Sequence, residues 1–284
     1  MGLKIAVVFV GLCNVKPEYF EYVYKVFDKI KEEGHQVDIF CHFWVVSENN
    51  PDDVALSDFI NKFIPKDCIN LQNELIKYVK PKKVIFSQFI EIYNTDEFKV
   101  VEKHAYASFI NHNAQFYGFQ KVIDSVDFSE YDFVLRWRYD ILGHFSNEEI
   151  YKIINSIEEC MKNEKTVLIN NYTEKLKSKI GITGVEDAIL GIPTKILHLF
   201  DDFYSIIASQ NIMNTTPPNE IKLAKYFKYK KLNLEICDYS YTFVRPYTEI
   251  NKEDYENNID KVIEENPQSN TPEHLYEYLR KLNK

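Results

Sequence analysis

The chain has no lysine- or arginine-rich block. Its 284 residues carry 34 basic against 43 acidic side chains, a formal net charge of −9. An acidic chain without a basic stripe is a poor match for a phosphate backbone, so nucleic acid is not the expected partner. A nucleotide-sized ligand needs only a local basic spot and stays allowed. Cysteine is sparse: Cys13, Cys41, Cys68, Cys160 and Cys237 are scattered, with no Cys-x-x-Cys spacing. That argues against a zinc or dithiol-redox centre and for buried free thiols in a reducing compartment. No apolar run approaches the ~20 residues that a membrane-spanning helix requires, and the N-terminal run at 4–10 lacks a cleavage-site pattern. Repeats, low-complexity tracts and flexible linkers are also missing. These absences leave a soluble, cytoplasmic protein with no membrane span as the expectation.

What is present is a regular succession of strand and helix patterns. Apolar runs near residues 4, 37, 83, 133 and 166 alternate with helical periodicities, the pattern of a mainly parallel sheet flanked by helices. The size allows one catalytic-sized domain over 1–246 and a small helical segment over 247–284 packed on it. Strand 4–10 ends at Gly11-Leu-Cys-Asn14, and a Gly-containing loop between strand and helix is where nucleotides meet the carboxyl ends of parallel strands. Pro17 and Gly34 bound the first helix, whose stripe of Tyr19, Phe20, Val23, Val26, Phe27 and Ile30 is core packing. In strand 37–44, His42 reads either as a metal ligand or, more ordinarily, as a hydrogen-bonded structural residue. A long helix over 98–126 carries Asn111, His112, Asn113, Gln115, Gln120 and Lys121 where a solvated face would favour Glu and Lys. That face lines a cleft or packs on a polar loop. Ser146-Asn-Glu-Glu149 forms a capping box, Asp187 is expected at a helix start ahead of an apolar run, and a last strand spans 234–245.

The stretch of greatest interest is Phe133-Val-Leu-Arg-Trp-Arg-Tyr-Asp140. An apolar strand passes into an alternation that sends Arg136, Arg138 and Asp140 to one side and Trp137 and Tyr139 to the other. Two guanidinium groups and a carboxylate at the end of a buried strand are costly unless they pair or bind something charged. One reading is an internal ion-pair cluster. The other is a site in which the carboxylate holds a divalent cation and the arginines hold phosphate.

This strand resembles the Arg-x-Arg-x-Asp signature of GT-A-type glycosyltransferases from polysaccharide-synthesis loci and large viruses. Lys4 to Gly11, Val37 to Trp44, Gln115 to Lys121, Gly184-Val-Glu-Asp187 and Pro218-Asn-Glu220 resemble further pieces of that family, in order, over residues 4 to 245. The resemblance implies a GT-A-like fold and transfer of a sugar from a nucleotide-diphosphate sugar to a glycan or other hydroxyl acceptor. It implies Asp140 as the holder of Mn²⁺ or Mg²⁺, although the position two before it is Arg138 rather than an acid, which leaves direct phosphate contact by Arg136 and Arg138 as the alternative to a metal. Asp187 is the first candidate for general base, Glu220 the second and Glu186 a third. Gly11, Asn14, Gln115 and Lys121 are candidate nucleotide contacts. A non-catalytic nucleotide- or glycan-binding module of the same fold is the rival, and a phosphate-ester hydrolase a weaker one, since it would need clustered Asp/His ligands.

Overall fold

The computed structural model describes residues 2–11, 13, 15, 17–45, 68–101, 106–173, 184–210 and 218–243. Asn14, residues 54–63, whose pattern reads as a short helical stretch, and the segment 247–284 lie outside the described residues. At the centre stands β1 (Lys4–Val10), in which every side chain from Ile5 to Val10 is inaccessible. It pairs in parallel with β2 (Gln36–Val45) on one side and β4 (Phe133–Arg138) on the other. β3 (Lys83–Gln88) extends the sheet beyond β2. Beyond β4 come β9 (Ile189–Pro193), β6 (Thr166–Ile169) and β10 (Asn233–Ile236). Only β9 runs antiparallel to its neighbours in this seven-stranded sheet.

Two apolar layers cover the sheet. Phe9, Phe27, Phe43, Trp137 and Tyr139 pack on one face, with helices Phe20–Glu32 and Asn147–Lys162. Val8, Phe116, Phe119, Phe203 and Tyr226 pack on the other, with helices Tyr106–Ser125, Phe203–Ser209 and Asn219–Lys230. The mainly parallel sheet between helical layers is the α/β architecture expected from the sequence. The chain runs outward from β1 through β2 to β3, then crosses back to lay β4 on the opposite side of β1. Such a reversal opens a crevice at the carboxyl ends of the two strands.

Several local expectations are corrected. Asp187 lies in a bend between β8 (Gly184–Val185), which pairs with β7 (Tyr172–Thr173), and β9, not at a helix start, because the apolar run after it fills the gap between β4 and β6. Gly191 makes that fit: a Cβ there would come within 2.4 Å of Phe133 and 2.9 Å of Leu168. Residues 194–209, whose pattern reads as one helix, form a 3₁₀ turn, Thr194–Phe200, followed by helix Phe203–Ser209. The expected last strand is two, β10 and β11 (Tyr241–Phe243), and β11 pairs instead with β5 (Ile141–Gly143) after Asp238 turns the chain at φ +49°. The long helix begins at Tyr106, since Thr95 caps a separate short helix, Asp96–Lys99. Ser146 does cap its helix through the Glu149 amide, but the Glu149 side chain accepts from the Ser240 amide instead.

Candidate active site

β4 delivers its charged side chains to the mouth of the crevice. The alternation holds: Leu135, Trp137 and Tyr139 enter one apolar layer, and Arg136 and Arg138 face the other way. The Tyr139 hydroxyl donates to the His42 carbonyl at 2.8 Å, which fixes the turn that carries Asp140. Val10 is in register with Arg138, so Gly11 emerges beside the arginine. Gly11 has φ +107° and open space where a side chain would stand, a backbone that only glycine adopts without strain.

The two arginines have different fates. Arg136 is fully buried. Its Nη1 donates to the Asp187 carbonyl at 2.6 Å and its Nη2 to Gln115 Oε1, with the guanidinium over the Phe116 ring. Burial draws its pKa down to about 10 despite Asp187 nearby, so it stays charged at neutral pH. Arg138 keeps partial exposure. Its Nε and Nη2 donate to the two oxygens of Asp140 at 3.0 and 2.9 Å, a bidentate clasp, while Nη1 lies 3.5 Å from Asp187 Oδ1. The face of its guanidinium rests on Phe243, 4.7 Å from the ring centroid. Burial works against the charge of Arg138, but Asp140 and Asp187 outweigh it and raise its pKa further.

Asp187 is the hub. Its Oδ2 accepts from Gln115 Nε2 at 2.6 Å and from Asn219 Nδ2 at 2.9 Å. Burial opposes its ionisation, yet Arg138, Arg136 and these two amides hold its pKa below the usual carboxylate range. Glu220, next to Asn219 at the start of its helix, keeps partial exposure, and its carboxylate accepts from its own backbone amide. Burial, followed by the neighbouring Asp187 charge, pushes it up to about 8. Glu186 turns away from its neighbour and accepts from Asn170 Nδ2 at 3.0 Å and Tyr241 Oη at 3.1 Å. Burial raises its pKa as well.

The structure therefore brings Gln115, Arg136, Arg138, Asp140, Asp187 and Glu220 together, with Gly11 at the rim. Lys121 is directed elsewhere: it pairs with Glu91 at 3.0 Å and lies over the Tyr117 ring. Six residues after Gln115, it falls on another face of the helix. His42 is fully buried, and neither ring nitrogen has a hydrogen-bond partner among the described residues. Its ring fills the space left by Gly118, where a Cβ would meet Nδ1 at 2.6 Å. Burial lowers its pKa to about 3, so it is a neutral packing ring rather than a hydrogen-bonded one. The sequence gives no signal for the buried pair of Lys222 Nζ with Asn113 Oδ1, 2.9 Å apart, or for the contact of Asn219 with Asp187. The amide-rich helix face points to Asn113 alone.

A divalent cation on Asp140 finds a poor set of donors. Among the described residues, no group of three or more His, Cys, Asp or Glu side chains is placed to hold a metal. Mg²⁺ accepts few protein ligands when phosphates complete its shell. Here, however, both Asp140 oxygens already carry N–H donors from one guanidinium, and a second guanidinium lies behind. The residues present do not fit a resident cation.

No family model matches the chain, and no curated protein matches it in sequence. Among solved structures, a 4-diphosphocytidyl-2C-methyl-D-erythritol synthase from Anaerococcus prevotii aligns over 99% of this chain and 98% of its own, with TM-score 0.42 and 10% identity. Mouse xyloside xylosyltransferase 1, in its apo form, aligns over 93% of each chain with TM-score 0.41 and 9% identity. Scores this low carry no functional conclusion. Among the described residues, no helix is long and apolar enough to cross a membrane.

Proposed function

We propose that the chain is a glycosyltransferase that moves a sugar from a nucleotide-diphosphate sugar to the hydroxyl of a glycan or other acceptor. What supports this reading is the cluster of a fixed guanidinium, an ionised Asp187 and a partly exposed Glu220 near the carboxyl end of β4. Breaking a glycosidic bond to a diphosphate builds negative charge on the leaving phosphate. A pre-positioned cation stabilises that charge more in the transition state than in the ground state. Gly11 leaves room for the donor to approach the backbone beside Arg138.

The acceptor hydroxyl must lose a proton as it attacks. Asp187, first choice from the sequence, is a weak base in this setting: two amides occupy one oxygen and Arg138 faces the other. Glu220 suits the task better, because its carboxyl is partly exposed and its raised pKa gives the carboxylate greater basicity. Two carboxyls driven apart in pKa by their surroundings divide the labour. Asp187 holds charge and geometry, and Glu220 moves the proton.

A screen of UDP-, GDP- and CMP-linked sugars, read by nucleotide release with sugar acceptors present, tests the reading. Glu220→Gln is expected to keep donor binding and to lose transfer by about 10²–10⁴-fold. In the wild type, kcat/KM should rise with pH up to about 8. Binding of free oligosaccharide, with no donor binding and no release, would replace the enzyme by a binding module.

A further inference from the structure

We propose that Arg138 is the resident cation of the donor site and that the chain binds a nucleoside diphosphate without a divalent metal. This deepens the transferase reading and rests on it. The clasp of Arg138 by Asp140 uses one edge of the guanidinium, Nε and Nη2, at 3.0 and 2.9 Å. Stacking on Phe243 fixes its plane. What remains is Nη1, whose protein partner, Asp187 Oδ1, is 3.5 Å away, at the limit of a hydrogen bond. A carboxylate that grips one edge of a guanidinium and leaves the other open orients it toward an incoming phosphate oxygen, and charge-assisted bonds of this kind are the strong ones.

The same geometry disfavours a metal. A cation on Asp140 would have to break a bidentate pair and then sit beside two guanidinium groups. Arg136 cannot move aside, since it is fully buried with both terminal nitrogens engaged. Nor can Asp187 turn to help without releasing Gln115 and Asn219. Asp140 thus acts as a positioning residue for Arg138.

The test uses the full chain after chelator treatment. Binding of UDP, GDP and CDP is titrated calorimetrically in EDTA and in Mn²⁺, and Mn²⁺ alone is titrated against nucleotide-free protein by electron paramagnetic resonance. The diphosphate that binds is expected to have a Kd in EDTA within about threefold of its value in Mn²⁺. Arg138→Met should weaken it by about tenfold to a hundredfold in both buffers. Arg138→Lys should recover only part of the loss, because an ammonium does not present a fork. The free Mn²⁺ signal should persist over wild-type protein. Arg138→Asp, which places an acid two residues before Asp140, should make nucleotide binding depend on Mn²⁺. Should that variant not fold, the wild-type and Arg138→Met titrations decide alone. Binding lost in EDTA and restored by Mn²⁺, or Mn²⁺ bound by nucleotide-free wild type, overturns the inference and leaves the transferase standing. No binding of any diphosphate in either buffer overturns both.

Discussion

The two ends of the central sheet carry similar charges in opposite settings. At the amino end, Lys4 and Lys82 reach Glu130 at 2.8 and 2.7 Å, and Asp38 accepts from Tyr131 and Lys82. Both ammonium groups lie over the Tyr131 ring. At the carboxyl end, Arg136, Arg138, Asp140 and Asp187 form their own cluster. The first network is about half exposed at Lys82 and Glu130, where pairing replaces good hydration with little gain. The second is buried, where each charge depends on its partners because water cannot replace them. Proximity of opposite charges says little by itself. Solvent access decides which network the fold depends on and which can be rearranged cheaply.

The strongest way to break the contrast is to remove the hub. Asp187→Ala leaves two guanidinium groups short of a counter-charge and two amides without an acceptor. A loss of about 3–5 kcal/mol in urea unfolding is expected. Asp187→Asn, which keeps an acceptor, should lose less. Because the folded pKa of Asp187 lies below its unfolded value, its contribution is present above the unfolded carboxylate pKa and fades as pH falls through the lower folded one. Unfolding of wild type and Asp187→Asn should therefore converge in acid.

Much of this frame is legible in the sequence. The run from Phe133 to Asp140 gives the faces of β4 without ambiguity, because a period of two leaves no other assignment. Gln115 stands out as an amide where a solvated helix would carry charge. What escapes is decided by contacts far along the chain. Residues 188–193 are too short and apolar to tell strand from helix by periodicity. Only the gap between β4 and β6 makes them a strand, and with it Asp187 becomes a bend residue aimed at Arg138. Asn219 carries no local signal, since its value lies in reaching Asp187, 32 positions earlier. The division of roles between Asp187 and Glu220 is equally invisible, because it depends on which carboxyl receives the amides.

Lys222 sharpens the comparison from the other direction, as a buried charge whose one Nζ partner among the described residues is Asn113. Burial lowers its pKa to about 7, so the folded protein holds this proton less tightly than the unfolded chain, whose lysine titrates near ~10.4. Stability from this group rises with pH between those two values and stays level at its minimum below about 7. Lys222→Met should stabilise the protein at neutral pH by about 1–4 kcal/mol, with the gain shrinking as pH approaches 10. Denaturant midpoints across pH 6–10 provide the check. Glu220 has the opposite sign. Its folded pKa, about 8, exceeds the unfolded value near ~4.3, so wild type loses stability relative to Glu220→Gln as pH climbs through that interval, and the difference levels off above 8.

The smallest effect belongs to the amino end, and its smallness is the point. Glu130→Ala removes the partner shared by Lys4 and Lys82, yet both ammonium groups keep water and the Tyr131 face. Asp38 keeps its bond from Tyr131. Side chains this exposed lose no hydration when the pair is cut, and the entropy of holding two long chains in one geometry is returned. The melting temperature of Glu130→Ala should match wild type within replicate scatter, and any difference at low ionic strength should vanish in 1 M salt. A large, salt-resistant loss would mean that the amino end is as dry as the carboxyl end. Solvent access would then no longer explain why only one of these networks governs stability.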